Sequence, residues 1–111
     1  MVQDLIYFYA VEDDLLDVIE EVLSLKLVWS SLGRGLRLQP DDLKAIRDAN
    51  PTESDAENAL NDVLLLWLKQ KYNVEKFGPP TWKRLVEAVD RKGGGNNYEL
   101  AKEIASNHPA G

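Results

Sequence analysis

The stretch from Phe77 to Asp90 constrains the fold more than any other part of this chain. Pro79 and Pro80 each fix one φ angle and end any preceding helix, and the hydroxyl of Thr81 can then cap a new helix. An apolar set follows at spacings of three and four residues: Trp82, Leu85, Val86 and Val89. A tryptophan in the first turn of a short helix needs an apolar surface to cover it. The rest of the chain must therefore provide a core.

Apolar residues recur at helical spacing along most of the remaining sequence, and no segment alternates as a strand does. One amphipathic helix precedes residue 25, and a second follows it closely, although it contains Gly33 and Gly35. A glycine inside a helix costs about 1 kcal/mol relative to alanine. We therefore expect at least one of these glycines to permit a close approach between helices or to end the helix. Pro40 begins a short third helix.

The fourth predicted helix is the longest and the most apolar. Two overlapping capping boxes could open it, Ser54 with Glu57 and, as the weaker pair, Thr52 with Asp55. Its apolar stripe includes Leu64 and Trp67, and further leucines widen the stripe over most of the helix surface. Such a helix is expected at the centre of the domain.

Three consecutive glycines, residues 93–95, end the fifth helix and predict a flexible turn. Asn96 or Asn97 then caps a sixth helix. The sequence thus predicts an all-α, six-helix domain over residues 11–111, preceded by an apolar lead-in over residues 1–10. The predicted core comprises Trp29, Leu32, Leu64, Trp67, Trp82, Leu85, Val86, Leu100 and Ile104.

The composition argues against several kinds of chemistry. With 111 residues the chain forms one domain, and it has no cysteine, so disulfides and thiolate sites are excluded. The only histidine, His108, has no second ligand at helical spacing and is expected to be solvated. We therefore expect no catalytic residue, no metal and no cofactor. The absence of cysteine, of a signal peptide and of a long apolar run fits a cytoplasmic protein without a membrane span.

Charge is sorted along the chain, whose formal net charge is −6. Residues 1–25 contain seven acids and no base, whereas residues 26–50 have a net charge of +2 and residues 69–92 a net charge of +4. The first helix has an acidic face of Asp13, Asp17, Glu20 and Glu21, and the second and third helices carry the basic residues Arg34, Arg37, Lys44 and Arg47. Faces of opposite sign favour protein–protein recognition, because they guide association and orientation.

The basic stretch of residues 69–92 has three possible interpretations. It could be a solvated surface, a contact with anionic lipid or nucleic acid, or the complement of the acidic helix of another copy. The three tryptophans all lie on apolar stripes, which disfavours a nucleic-acid stacking surface. A helical domain that binds an anionic ligand through residues 69–92 is the alternative to a protein interaction module.

Three motifs together resemble a death domain. They are W-x-x-L-G-x-x-L-x-L-x-x-x-D-L (Trp29–Leu43), L-L-L-W-L (Leu64–Leu68), and G-P-P-T-W-x-x-L-x-x-A-V (Gly78–Val89) followed by N-N-x-x-L-A-x-x-I (Asn96–Ile104). The resemblance covers about residues 11–108, and its most specific part is the tryptophan-plus-leucine pattern that opens the fifth helix.

The resemblance implies an antiparallel six-helix Greek-key bundle without enzymatic activity, which oligomerises or recruits other death-domain proteins in intracellular signalling such as apoptosis or innate immunity. Copies of such domains associate through three asymmetric contacts. One of these joins the surface of helices 1 and 4 to helices 2 and 3. The charge distribution offers the same pairing, between the acidic first helix of one copy and the basic residues of another.

Overall fold

The computed structural model describes residues 13–69 and 80–108, with side chains from residue 15 onward, and the regular structure in these ranges is entirely helical. The α-helices are α1 (Asp13–Val22), α2 (Trp29–Gly35), α3 (Pro40–Ala49), α4 (Ala56–Lys69), α5 (Trp82–Asp90) and α6 (Tyr98–Asn107). Two 3-10 helices, Leu23–Val28 and Glu53–Asp55, lead into α2 and α4. The prediction of an all-α fold is confirmed for the described residues. The apolar lead-in and the loop residues Phe77–Pro79 lie outside them.

Helix α4 forms the centre of the core. It contacts α1, α2, α3 and the first 3-10 helix. The side chains of Leu60, Val63, Leu64 and Trp67 have no exposed area. Full burial of a leucine or valine stabilises the fold by about 1.5–3 kcal/mol, so this helix contributes a large share of the packing energy.

The predicted core residues lie in or against one cluster. Trp29, Leu32, Leu64, Trp67, Trp82, Leu85 and Ile104 are buried, and Val86 and Leu100 are partly buried and pack against them. Trp29 and Trp82 each retain 8% exposure. All of the predicted core residues therefore contribute to this core in the structure.

The capping box before α4 uses the pair that the sequence ranks second. The Asp55 carboxylate accepts hydrogen bonds from the backbone N–H of Thr52 (3.2 Å) and from its hydroxyl (2.8 Å). The Thr52 side chain in turn accepts from the backbone of Asp55. Because a 3-10 turn precedes α4, the helical run begins at residue 53, and the box of Thr52 matches this start.

Two further caps fix the first turns of α5 and α6. Thr81 is 4% exposed, and its hydroxyl accepts from the backbone N–H of Arg84 at 3.1 Å, as predicted. Asn97, rather than Asn96, caps α6, because its Oδ1 accepts from the N–H of Leu100 at 3.0 Å. Asn96 instead adopts a left-handed backbone conformation with φ of 51°.

Backbone segments of α2, α5 and the α5–α6 turn lie unusually close together. A Cβ atom on Gly35 would lie 3.0 Å from the carbonyl oxygen of Ala88 and 3.0 Å from the Cα atom of Gly94, while a Cβ on Gly94 would clash with the same carbonyl. Gly95 donates to this carbonyl at 2.9 Å. Gly35 also ends α2, so it both terminates a helix and permits close packing. The turn is a hydrogen-bonded structure in which Gly94 is buried.

Within residues 13–69 and 80–108, each helix is too short or too polar to cross a membrane.

Candidate interaction surfaces

The acidic residues of α1 differ in their surroundings. Asp17 and Glu20 are exposed. Asp13 belongs to α1, but its side chain lies outside the described part of the structure. Glu21 is partly buried, and its carboxylate lies 2.5 Å from Nε2 of His108 and accepts from the Asn107 amide at 3.3 Å. Among the described side chains of this face, Asp17 and Glu20 are therefore the two acids that solvent and a partner can reach freely.

His108 lies in a contact between three helices. Its ring stacks on Trp82 with a centroid distance of 3.5 Å and an angle of 4° between the planes, and its side chain is 27% exposed. The prediction that this residue is solvated is wrong. The side chain connects α1, through Glu21, to the first turn of α5, and it follows directly after the end of α6.

The predicted basic residues are all exposed, and three of them make contacts within their own region. Arg34 donates to the hydroxyls of Ser30 (3.3 Å) and Ser31 (2.9 Å), one turn earlier in α2. The Arg47 guanidinium carbon lies 5.2 Å from the centre of the Trp29 ring, within the range of a cation–π interaction. These contacts orient the side chains on α2 and α3 but leave their positive charge in place.

Lys44 forms an exposed ion pair one turn along α3. Its Nζ lies 2.8 Å from Oδ2 of Asp48. The hydrogen bond to Asp48 and the attraction of its charge raise the pKa of Lys44 above the ordinary lysine value. Lys44 therefore stays positively charged, but the negative charge of Asp48 beside it weakens its attraction for an acidic partner.

The structure also forms a basic cleft that the sequence analysis missed. Gly35, Arg37, Arg84, Glu87 and Arg91 line a cavity of about 200 Å³ that is open to solvent. We refer to it as the arginine cleft. Arg37 follows α2, whereas the other charged residues come from α5 and the residue after it. A spacing of three and four residues between 84, 87 and 91 places them on one helix face. That spacing is the sequence signal for the α5 side of the cleft.

The central arginine of the cleft is held from two sides. Nη2 of Arg84 donates to the carbonyl oxygen of Leu36 at 3.4 Å, and its guanidinium carbon lies 5.9 Å from the centre of the Trp67 ring. Burial lowers the pKa of Arg84, the nearby charge of Glu87 raises it, and that of Arg37 lowers it. Arg84 thus carries a charge that is partly removed from water and repelled by a neighbour of the same sign.

The other described residues of the basic stretch do not line this cleft. Lys69, Lys83 and Lys92 are exposed, and Lys71 and Lys76 lie outside the described residues. Among the described side chains, no group of three or more histidines, aspartates and glutamates could hold a metal ion.

No family model, no curated protein and no solved structure matches this chain.

Proposed function

We propose that this chain is a protein–protein interaction module of the death-domain type, a six-helix Greek-key bundle that self-associates or recruits similar domains. The observation that carries the proposal is the separation of charge between α1, whose charged residues are all acidic, and α2, whose one charged residue is Arg34. Asp17 and Glu20 lie on α1, and the basic residues Arg34 and Lys44 lie on α2 and α3. The motifs that resemble the death domain support the same conclusion.

A contact between these two faces uses different patches on its two sides. When copies join through such a heterologous contact, one end of the assembly keeps a free acidic patch and the other end keeps a free basic patch. Further copies can bind at both ends, so the contact produces rings or open helical assemblies rather than closed pairs. We expect the charges to guide association and to fix orientation. Each exposed ion pair contributes only about 0–1 kcal/mol, so several pairs must act together.

Sedimentation of charge-reversal variants tests this pairing. At about 0.01 M salt, where charges act over about 30 Å, wild type should self-associate. Asp17→Lys with Glu20→Lys should weaken the association, as should Arg34→Glu with Lys44→Glu. A mixture of the two double variants should recover part of it. Glu21 is left unchanged because its reversal would break the contact with His108.

The acid reversal is the decisive variant, because it brings the net charge of −6 closer to zero and reduces general repulsion. If net charge alone governed association, this variant would associate more strongly than wild type. A matched control, Asp90→Lys with Glu103→Lys, makes the same change in charge on exposed residues of α5 and α6. Equal behaviour of the control and the α1 variant would refute the proposed pairing.

The alternative function, binding of anionic lipid or nucleic acid through residues 69–92, is tested in the same cell. Wild type that stays monomeric at low salt, but sediments with an oligonucleotide or with anionic vesicles, would favour the alternative over self-association.

A further inference from the structure

We propose that the arginine cleft binds a phosphoryl group as a dianion. This inference goes beyond the interaction module, because the cleft lies between α2 and α5 and includes Arg84 and Arg91, which the acidic–basic pairing does not use. Among the described residues, three guanidinium groups, those of Arg37, Arg84 and Arg91, line one cavity with a single carboxylate, that of Glu87.

The charge of the cleft selects the ligand. The described lining, with three arginines and one glutamate, has a formal charge of +2, in a chain whose net charge is −6. A phosphate dianion balances this charge, whereas a single carboxylate leaves it half balanced. The planar guanidinium group also matches the geometry of phosphate oxygens and donates two parallel hydrogen bonds to them.

The cleft is largely arranged before any ligand arrives. The carbonyl of Leu36 and the ring of Trp67 hold Arg84 at its base, so little side-chain entropy is lost when it binds an anion. Arg37 stands at φ of 70°, a left-handed conformation that is uncommon for a residue with a side chain. This backbone position belongs to the short connection between α2 and α3, and it places Arg37 at the cleft rather than on the α3 surface.

Electrostatics favour an anion at this place. Arg84 is partly buried, and the charge of Arg37 repels it, which is why both effects lower its pKa. A bound dianion would replace lost hydration and screen the repulsion between the two guanidinium groups. Gly35 contributes backbone to the same wall.

The test is a titration of the whole chain followed by NMR, at fixed ionic strength, with inorganic phosphate, N-acetyl-phosphoserine amide and N-acetyl-glutamate amide as separate probes. We expect saturable shifts of the amides of Gly35 and Arg91 with both phosphate probes and weaker binding of the glutamate probe. The tighter of the two phosphate probes identifies the source, a free phosphate or a phosphorylated side chain.

Three variants make the test specific. Arg37→Gly suits the left-handed backbone and removes one guanidinium, and Arg91→Gln changes an exposed residue. Each should raise the Kd for phosphate by about tenfold, the value of one strong hydrogen bond to a charged group. Lys83→Gln is the matched control, because it removes one exposed positive charge from α5 outside the cleft, and it should leave the Kd within about twofold. Arg84 itself is not changed, since it contacts the core.

Two results would overturn the proposal. One is an equal loss of phosphate affinity in Arg91→Gln and Lys83→Gln, which would show that the affinity depends on the total charge of the protein and not on the cleft. The other is a Kd for the glutamate probe as low as that for phosphate, which would show that the cleft does not select a dianion. Arg91 is not part of the basic face on α2 and α3, so its variant separates failure of this site from failure of the self-association model.

Discussion

The two ends of α5 are attached to the rest of the domain by different physical means. At its first turn, side chains make the contact: Trp82 is buried beneath the ring of His108, which in turn contacts Glu21. At its last turn, backbone makes the contact, because Gly35 and Gly94 lie against Ala88 with no room for a side chain. The first turn requires a large side chain that fills the core, whereas the last turn requires glycines so that the backbones can approach each other. A smaller side chain should therefore destabilise the first turn of α5, and a larger side chain should destabilise the last turn.

The largest effect is expected at the side-chain end. Trp82→Ala should lower the free energy of unfolding by about 3–5 kcal/mol, as truncation of a buried aromatic residue does. Chemical denaturation measures this change. Lys83→Ala, at the exposed neighbouring position, should change it by less than about 0.5 kcal/mol. Equal denaturation midpoints for the Trp82 variant and wild type would show that the first turn of α5 is not held by this burial.

At the backbone end, a single added methyl group should destabilise. Gly94→Ala places a Cβ against the Ala88 carbonyl, and overpacking of this kind costs about 1–3 kcal/mol. Gly93→Ala is the matched control, because a Cβ there meets nothing within 4 Å. That variant should be neutral or more stable by about 0.4–1 kcal/mol, since it restricts the unfolded chain. If the two variants melt alike, the glycines serve flexibility, as the sequence alone suggests, and not packing.

Removal of the histidine ring should have a smaller effect than removal of the tryptophan beneath it. His108→Ala should cost about 1 kcal/mol, the magnitude of an aromatic pair contact. A double-mutant cycle with Glu21→Gln isolates the contact between the two residues. We expect a coupling of about 0.5 kcal/mol, because both side chains are partly exposed. If the effects of the two changes are additive, the contact between Glu21 and His108 does not stabilise the packing of α1 against α5.

A change of similar size is expected at the cap that begins α5. Thr81→Ala should cost about 1 kcal/mol, and Thr81→Ser should cost less because it keeps the oxygen that accepts from Arg84. Thermal unfolding of the pair separates the cap from the packing of the buried threonine methyl group. Equal losses in both variants would assign the effect to packing, since serine lacks only that methyl.

Much of the fold is predictable from the sequence because the relevant signals are local. The apolar stripe of α5, the proline that begins α3 and the cap at Thr81 each depend on residues a few positions apart, and the structure contains all three. The buried positions on α4 follow from the same spacing. The first 3-10 helix departs from this pattern. Where α1 runs directly into it, Leu27 and Val28 are exposed, although the spacing of Leu25, Val28 and Leu32 is that of a buried helical stripe.

The structure alone reveals the features that join distant parts of the chain. Periodicity indicates which face of a helix is buried but not which element covers it, so neither the stacking of His108 on Trp82 nor the contact of Gly35 with Gly94 is visible in the sequence. The arginine cleft is the clearest case. Arg37 and Arg84 are far apart in the chain, and their charges share one cavity only because the backbones of α2 and α5 pack closely through glycine. The sequence by itself determined helices, caps and the sorting of charge, all of which follow from short-range spacing. Tertiary packing decided which charges became neighbours, because that depends on long-range contacts that no local pattern encodes.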